Sequence, residues 1–220
     1  MKSLTEQQQN LPQQTSPKRL PESYKANPAV MDVVNKWGED FTVNTLMRYP
    51  SVDRLKTVPS LLDAVRQDSQ TLVQNRLQYS REHTLFWLKR QLIEVFQFCG
   101  CFAAMTDYQI RQCAELILTD ELLCTISLTE MMQFCERFKK AKYATFFNTS
   151  NPNPQDFFRA MKAFWSDLQE ARYRHEQEVQ EKKDAAEKKS GITWEEYCRR
   201  NNRPVTSSPL DAISEAFKDK

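Results

Sequence analysis

From Leu85 onward the chain repeats apolar residues at intervals of three and four: Leu85, Leu88, Leu92, Val95 and Cys99 line one face of a helix. Phe86, Trp87, Ile93 and Phe96 flank that stripe and widen it so far that the helix belongs near the centre of the core. Two shorter stripes follow, Ile110, Cys113, Ala114 and Ile117, then Leu128, Met131, Met132, Cys135 and Phe138, each predicting an amphipathic helix with one apolar face. Both are opened by a capping box, Thr106 with Gln109 and Ser127 with Glu130, where the hydroxyl and the later side chain satisfy opposite orphan amides. Asn153 and Pro154 form a cap and first-turn pair ahead of Phe157, Met161, Phe164, Trp165 and Leu168, a further buried face. Beyond Ala171 the stripe fades into "YRHEQEVQEKKDAAEKKSG", a charged run of helix formers ended by Gly191 and expected to project from the core into solvent. Thr193 with Glu196 opens a small helix, "WEEYCRR", and Ser208 with Pro209 opens another, "PLDAISEAF".

Upstream the pattern is weaker. Residues 1–35 hold few large apolar side chains and are interrupted by Pro12, Pro17, Pro21 and Pro28, which predicts a solvated, disordered tail. Residues 41–59 carry short apolar patches broken by Pro50 and Pro59, expected as helical turns laid on the core through Val43, Leu46, Tyr49, Val52 and Leu55. Between Pro59 and Gly100 there is no proline or glycine, and Ser60 with Asp63 makes a helix cap, although Leu62, Val65, Leu72 and Arg76 fit a helix only loosely. No run alternates with period two, and no internal repeat of fixed period is present. The expected fold is all-α, a single compact helical domain: a disordered polar tail over 1–40, a helical core over 41–170, and a charged helix with two short terminal helices over 171–220.

Composition narrows the functional classes. A chain of 220 residues with 40% hydrophobic content supports one ordinary core and leaves little for a second. Only three glycines occur, so no phosphate-binding loop or dinucleotide fingerprint can be assembled, and intrinsic nucleotide hydrolysis is excluded. Thirty-one basic against 29 acidic residues leave a formal charge of +2, so polyanion binding would have to be local. The glutamine-rich opening is no secretory signal and no run approaches the roughly 20 apolar residues that span a bilayer. A cytoplasmic protein with no membrane contact is expected, its six cysteines free thiols.

Candidate chemistry is sparse. His83 and His175 are the only histidines, there is no Cys-x-x-Cys, and Cys99 with Cys101 is an isolated near pair, so no metal site is expected. Cys99, Cys113 and Cys135 lie on apolar faces as small hydrophobes. His175 sits in a charged run as a solvated side chain, and His83, just before the central helix, has capping, pairing and solvent exposure open to it. Glu39 with Asp40 and Glu195 with Glu196 occupy polar turns and caps rather than apolar settings that would raise a carboxyl pKa. No catalytic residue, cofactor or small-molecule substrate is indicated, and the expectation is a protein that is not an enzyme.

The positive signal is "RFKKAKYATFFNTSNPNP", beginning at Arg137. Arg137, Lys139, Lys140 and Lys142 gather at a helix C-terminus, where cations complement the helix dipole. Three accounts are open: that structural one, a nucleic-acid surface in which the cations neutralise phosphates while Tyr143, Phe146 or Phe147 stacks on bases, and a protein-binding surface. Phe146 and Phe147 also suit an anchor that tucks the joint onto the core. In the terminal helices Trp194, Tyr197, Leu210, Ile213 and Phe217 are the apolar anchors available to a protein partner.

The segment from Met105 to Trp165 resembles a group of uncharacterised all-helical proteins of Bacteroidetes, their phages and conjugative elements. It opens on "MTDYQI", continues through a helix ending "ILTD", and contains "FCERFKKAKYATFF" where that group has a segment of the form FxxxFxRxKxGxYGxxY. Arg137, Lys139 or Lys140, Tyr143 and Phe147 fall where the pattern has its Arg, Lys and two Tyr, while Ala141 and Ala144 replace its two glycines. The resemblance implies an all-helical module from mobile or phage-related DNA. By analogy it implies a non-enzymatic accessory of a DNA transaction, of the replication or helicase-loading type, with a protein partner and DNA as a second candidate ligand. The alternative is a helical protein-binding adaptor with no nucleic-acid role.

Overall fold

A computed structural model describes residues 19–144, 152–190 and 194–200. Among these the chain is helical, with no strands: α1 Glu22–Lys25, α2 Pro28–Trp37, α3 Glu39–Phe41, α4 Arg54–Thr57, α5 Leu61–Arg66, α6 Leu72–Gln78, α7 Arg81–Phe98, α8 Asp107–Thr119, α9 Leu128–Lys139, α10 Pro154–Ser190 and α11 Trp194–Arg200. A π-helical stretch, Thr42–Met47, prolongs α3. Contacts divide the chain into two units, Met1–His175 and Glu176–Lys220.

In the first unit α9 is the hub. Leu128, Met131, Met132 and Cys135 are fully buried, but so, nearly, are Thr129, Glu130, Gln133 and Glu136. The expected single apolar face is therefore a helix enclosed on every side, and its polar residues are tolerated because each has a partner. Thr129 Oγ1 donates to the Ala64 carbonyl at 2.9 Å, Gln133 Nε2 donates to the Val58 carbonyl, and Glu130 and Glu136 accept from arginines. α7 packs along α9 through Leu85, Leu88, Leu92, Val95 and Phe96, all 3% exposed or less. Phe157 and Phe164 of α10 close the other side, with ring centroids 5.5 and 5.3 Å from Phe134.

The caps read from the sequence are made. Thr106 with Gln109 and Ser127 with Glu130 form reciprocal capping boxes, and Asn153 Oδ1 accepts the Gln155 amide ahead of α10. The stretch between Pro59 and Gly100 is broken into three helices without proline or glycine. Asp68 interrupts it at φ +42, and a third capping box, Thr71 with Gln74, opens α6. The amide of Leu72 donates to Ile126 and that of Leu128 to Gln70, each at 2.9 Å, so α6 and α9 start side by side.

Two expectations are corrected. Residues 22–37, assigned to a disordered tail, form α1 and α2. Pro28 stands at the first position of α2, where its missing N–H would be unpaired anyway, and Asn27 Oδ1 caps the Ala29 amide. Trp37 then stacks on Phe86 at 4.3 Å. Val43, Leu46 and Tyr49 are buried as anchors, but Val52 is 58% and Leu55 38% exposed. Arg54 between them turns inward to meet carboxylates, which rotates its apolar neighbours outward.

In the second unit, residues 180–186 of α10 are exposed and Cys198 of α11 is buried. The proposed second terminal helix around Ser208 and Pro209 lies outside the described residues.

Candidate functional site

The basic joint is built by how α9 ends. The Ala141 amide donates to Phe138 at 2.9 Å and the Lys142 amide to Arg137 at 3.1 Å. That paired pattern places Ala141 at the left-handed position, φ +57. The reversal returns Tyr143 to the core, 4% exposed and stacked against Phe134 with centroids 6.0 Å apart. Its hydroxyl donates to Asp167 Oδ2 at 2.9 Å, to which Arg137 Nη1 at 3.1 Å and Lys142 Nζ also donate.

Burial alone would raise the Asp167 carboxyl, but hydrogen bonds from Lys142 and Tyr143, with the charges of Lys142 and Arg137, together hold it below the usual range. Burial and the bond to Asp167 push the Tyr143 phenol up. The phenol stays protonated and acts as a donor.

Lys139 turns the other way, 2.8 Å from Glu136 and 3.0 Å from Glu94, with its ammonium 5.0 Å from the Phe98 ring centroid. Lys140 is exposed and makes no ion pair among the described residues. The five candidates for nucleic-acid binding thus separate: Arg137, Lys142 and Tyr143 meet at Asp167, Lys139 joins a different carboxylate pair, and Lys140 faces solvent. A buried ring cannot stack on bases, so Tyr143 is corrected from a platform to an anchor. Phe146 and Phe147 lie outside the described residues, as do Leu210, Ile213 and Phe217 and the side chains of Trp194 and Tyr197.

Two arrangements were not foreseen. Arg54, 1% exposed, donates Nε to Gln91 Oε1 at 2.7 Å, Nη2 to the Gln91 carbonyl at 3.1 Å, and Nη1 to Glu136 at 3.1 Å and to Glu94. Arg172 grips Glu130 with both ends of its fork, Nε to Oε1 at 2.9 Å and Nη2 to Oε2 at 2.6 Å. The available signal for the first was Glu94 beside the central stripe and Glu136 three residues before Lys139.

Comparison with protein-family models, with curated proteins and with solved structures finds no match for this chain.

The buried thiols and His83 are occupied structurally, whereas His175 Nδ1 is buried without a hydrogen-bond partner among the described residues. Burial pushes the Cys113 thiol up to about 12 and the Cys99 and Cys135 thiols to about 11, far from the thiolate that a nucleophile requires. His83 Nε2 lies 3.1 Å from the Trp37 carbonyl and Nδ1 2.6 Å from Ser80 Oγ. A carbonyl only accepts, so Nε2 carries a proton, and the ring ties α2 to α7. His175, expected in water, is half-buried. Among the described residues no group of side chains is placed to hold a metal ion, and no helix is long and apolar enough to cross a membrane.

Proposed function

We propose that this chain is a non-enzymatic accessory protein of the cytoplasm that acts by holding a protein partner, with its basic joint serving the fold rather than a nucleic acid. The observation that carries this reading is the capture of Arg137 and Lys142 by Asp167 and of Lys139 by Glu94 and Glu136. Cations already paired with carboxylates release fewer counterions from a phosphate backbone, and release of counterions is the main source of nonspecific affinity. The setting is the DNA transaction of a phage or mobile element that the resemblance implies, entered through protein contacts. Trp194, Tyr197, Leu210, Ile213 and Phe217 are the proposed anchors for the partner.

Two measurements test the reading. Titration of labelled single-stranded and duplex DNA at about 50 and 200 mM salt should give no salt-dependent binding. Binding that falls with salt and is weakened by Lys140→Glu returns the joint to nucleic acid. Affinity capture with the full chain, repeated with the five anchors changed to alanine, should lose specific partners in the variant. Identical capture by both removes the terminal helices from the account.

A further inference from the structure

The joint also walls a cleft of about 320 Å³ within the first unit. Arg137 and Lys142 reach it from the end of α9, Asp167 and Arg174 from α10, and Leu61 and Leu62 from the start of α5. This volume lies at the lower end of the range for small-molecule sites, roughly 300–1,000 Å³.

The ion pairs that weaken the joint's attraction for a phosphate backbone leave N–H donors unused inside the cleft, within reach of a single small anion. A guanidinium carries five N–H groups and an ammonium three. Arg137 commits Nη1 to Asp167, Lys142 commits one N–H to the same oxygen, and Arg174 commits Nη2 to Glu170. Among the described residues no second carboxylate meets any of the three. Three cations thus face two carboxylates, Asp167 and Glu170. Asp167 Oδ2 is already crowded, since it accepts from Tyr143 at 2.9 Å as well as from Arg137 and Lys142.

The shared oxygen has a second effect. By holding Arg137 and Lys142 on one atom, Asp167 fixes two cations side by side at the cleft wall. An incoming anion meets donors that are already ordered, which lowers the entropic cost of binding. Leu62 and Ala171, half-buried in the same wall, offer an apolar surface beside the charges.

We propose that this cleft binds a small organic oxyanion, a phosphate monoester or a carboxylate on a compact apolar group, with the anion on Arg137, Lys142 and Arg174. The apolar group lies on Leu61, Leu62 and Ala171. Planar forked donors suit either oxyanion, and the two are separated by which probe binds.

Calorimetric titration of the full chain with phenyl phosphate, benzoate and inorganic phosphate, at constant ionic strength set with chloride, tests the site. At least one organic probe should saturate with one-to-one stoichiometry. Arg174→Gln and Lys142→Gln should each weaken that probe roughly tenfold or more, and Arg159→Gln, which removes a cation outside the cleft, should leave it unchanged. Arg174 and Lys142 have side chains 68% and 47% exposed, so circular dichroism should report an intact fold in both variants. Preference for phenyl phosphate assigns the phosphate source and preference for benzoate the carboxylate. The proposal is overturned by an absence of saturation with either organic probe into the millimolar range, by binding of inorganic phosphate alone, or by binding that ignores both cleft substitutions.

Discussion

Replacing Arg54 with methionine should destabilise the first unit by about 3 kcal/mol, among the larger effects of a single substitution here. Removing one partner of a buried ion pair costs about 3–5 kcal/mol, because the other charge is left without compensation. Arg54 is 1% exposed and satisfies Gln91, Glu94 and Glu136 together. Two features place the cost at the lower end of that range. Lys139 remains 2.8 Å from Glu136 and 3.0 Å from Glu94, and the Glu94 side chain is 21% exposed, so water reaches it. If the cost is the stranded anions rather than lost packing, adding Glu94→Gln and Glu136→Gln should recover about 1–2 kcal/mol relative to Arg54→Met alone. Urea unfolding followed by far-UV circular dichroism measures both, provided the m-values agree. A cost below about 1 kcal/mol for the single variant, or a triple variant weaker than the single, would refute the assignment of this network as the electrostatic centre of the fold.

Three further outcomes are expected. Ala141→Gly should stabilise by about 0.5–1 kcal/mol, since the left-handed backbone at φ +57 costs an L-residue about 1–2 kcal/mol and the added unfolded-state freedom returns part of it; a lowered urea midpoint contradicts this. Asp167→Asn should cost about 1–2 kcal/mol near neutral pH through its weakened charge-assisted bonds. Because the folded pKa of Asp167 is depressed, its contribution is present above the unfolded value of about 4 and is lost as pH falls through the folded pKa. The gap between wild type and variant should therefore narrow in acid, and a gap that is constant from pH 7 to pH 2 rejects the ion pairs. Thr71→Ala and Ser127→Ala should each cost about 1 kcal/mol in the same assay; their boxes open adjacent helices, so a double variant whose cost equals the sum would show that the paired starts do not cooperate.

The helices were legible where local rules decide them. The stripes of α7 and α8 and the boxes at Thr106 and Ser127 depend on residues three or four apart, and each is found. The misreadings share a cause. Proline breaks a helix interior, but Pro28 stands at the first helical position, where it costs nothing, and Asn27 before it carries the cap. α9 was given one apolar face because Glu130, Gln133 and Glu136 look solvated in sequence. They are buried because Arg172, Val58 and Arg54 reach them from 42, 75 and 82 positions away. No periodicity within α9 contains that information.

The same limit governs the basic joint. Arg137, Lys139, Lys140 and Lys142 read as one cluster only along the chain, since helix geometry sends Lys139 toward Glu94 of α7 and the reversal at Ala141 sends Lys142 and Tyr143 toward α10. The reversal turns on Ala141, whose backbone adopts the left-handed conformation that glycine favours. Asp167 also left a trace, an acidic residue beside Leu168 at the end of an apolar stripe, with Glu170 and Arg174 three and seven positions on along one face. A carboxylate that close to the core needs cations, and the cations need an anion. The two segments are complements, and their pairing at Asp167 joins α9 to α10.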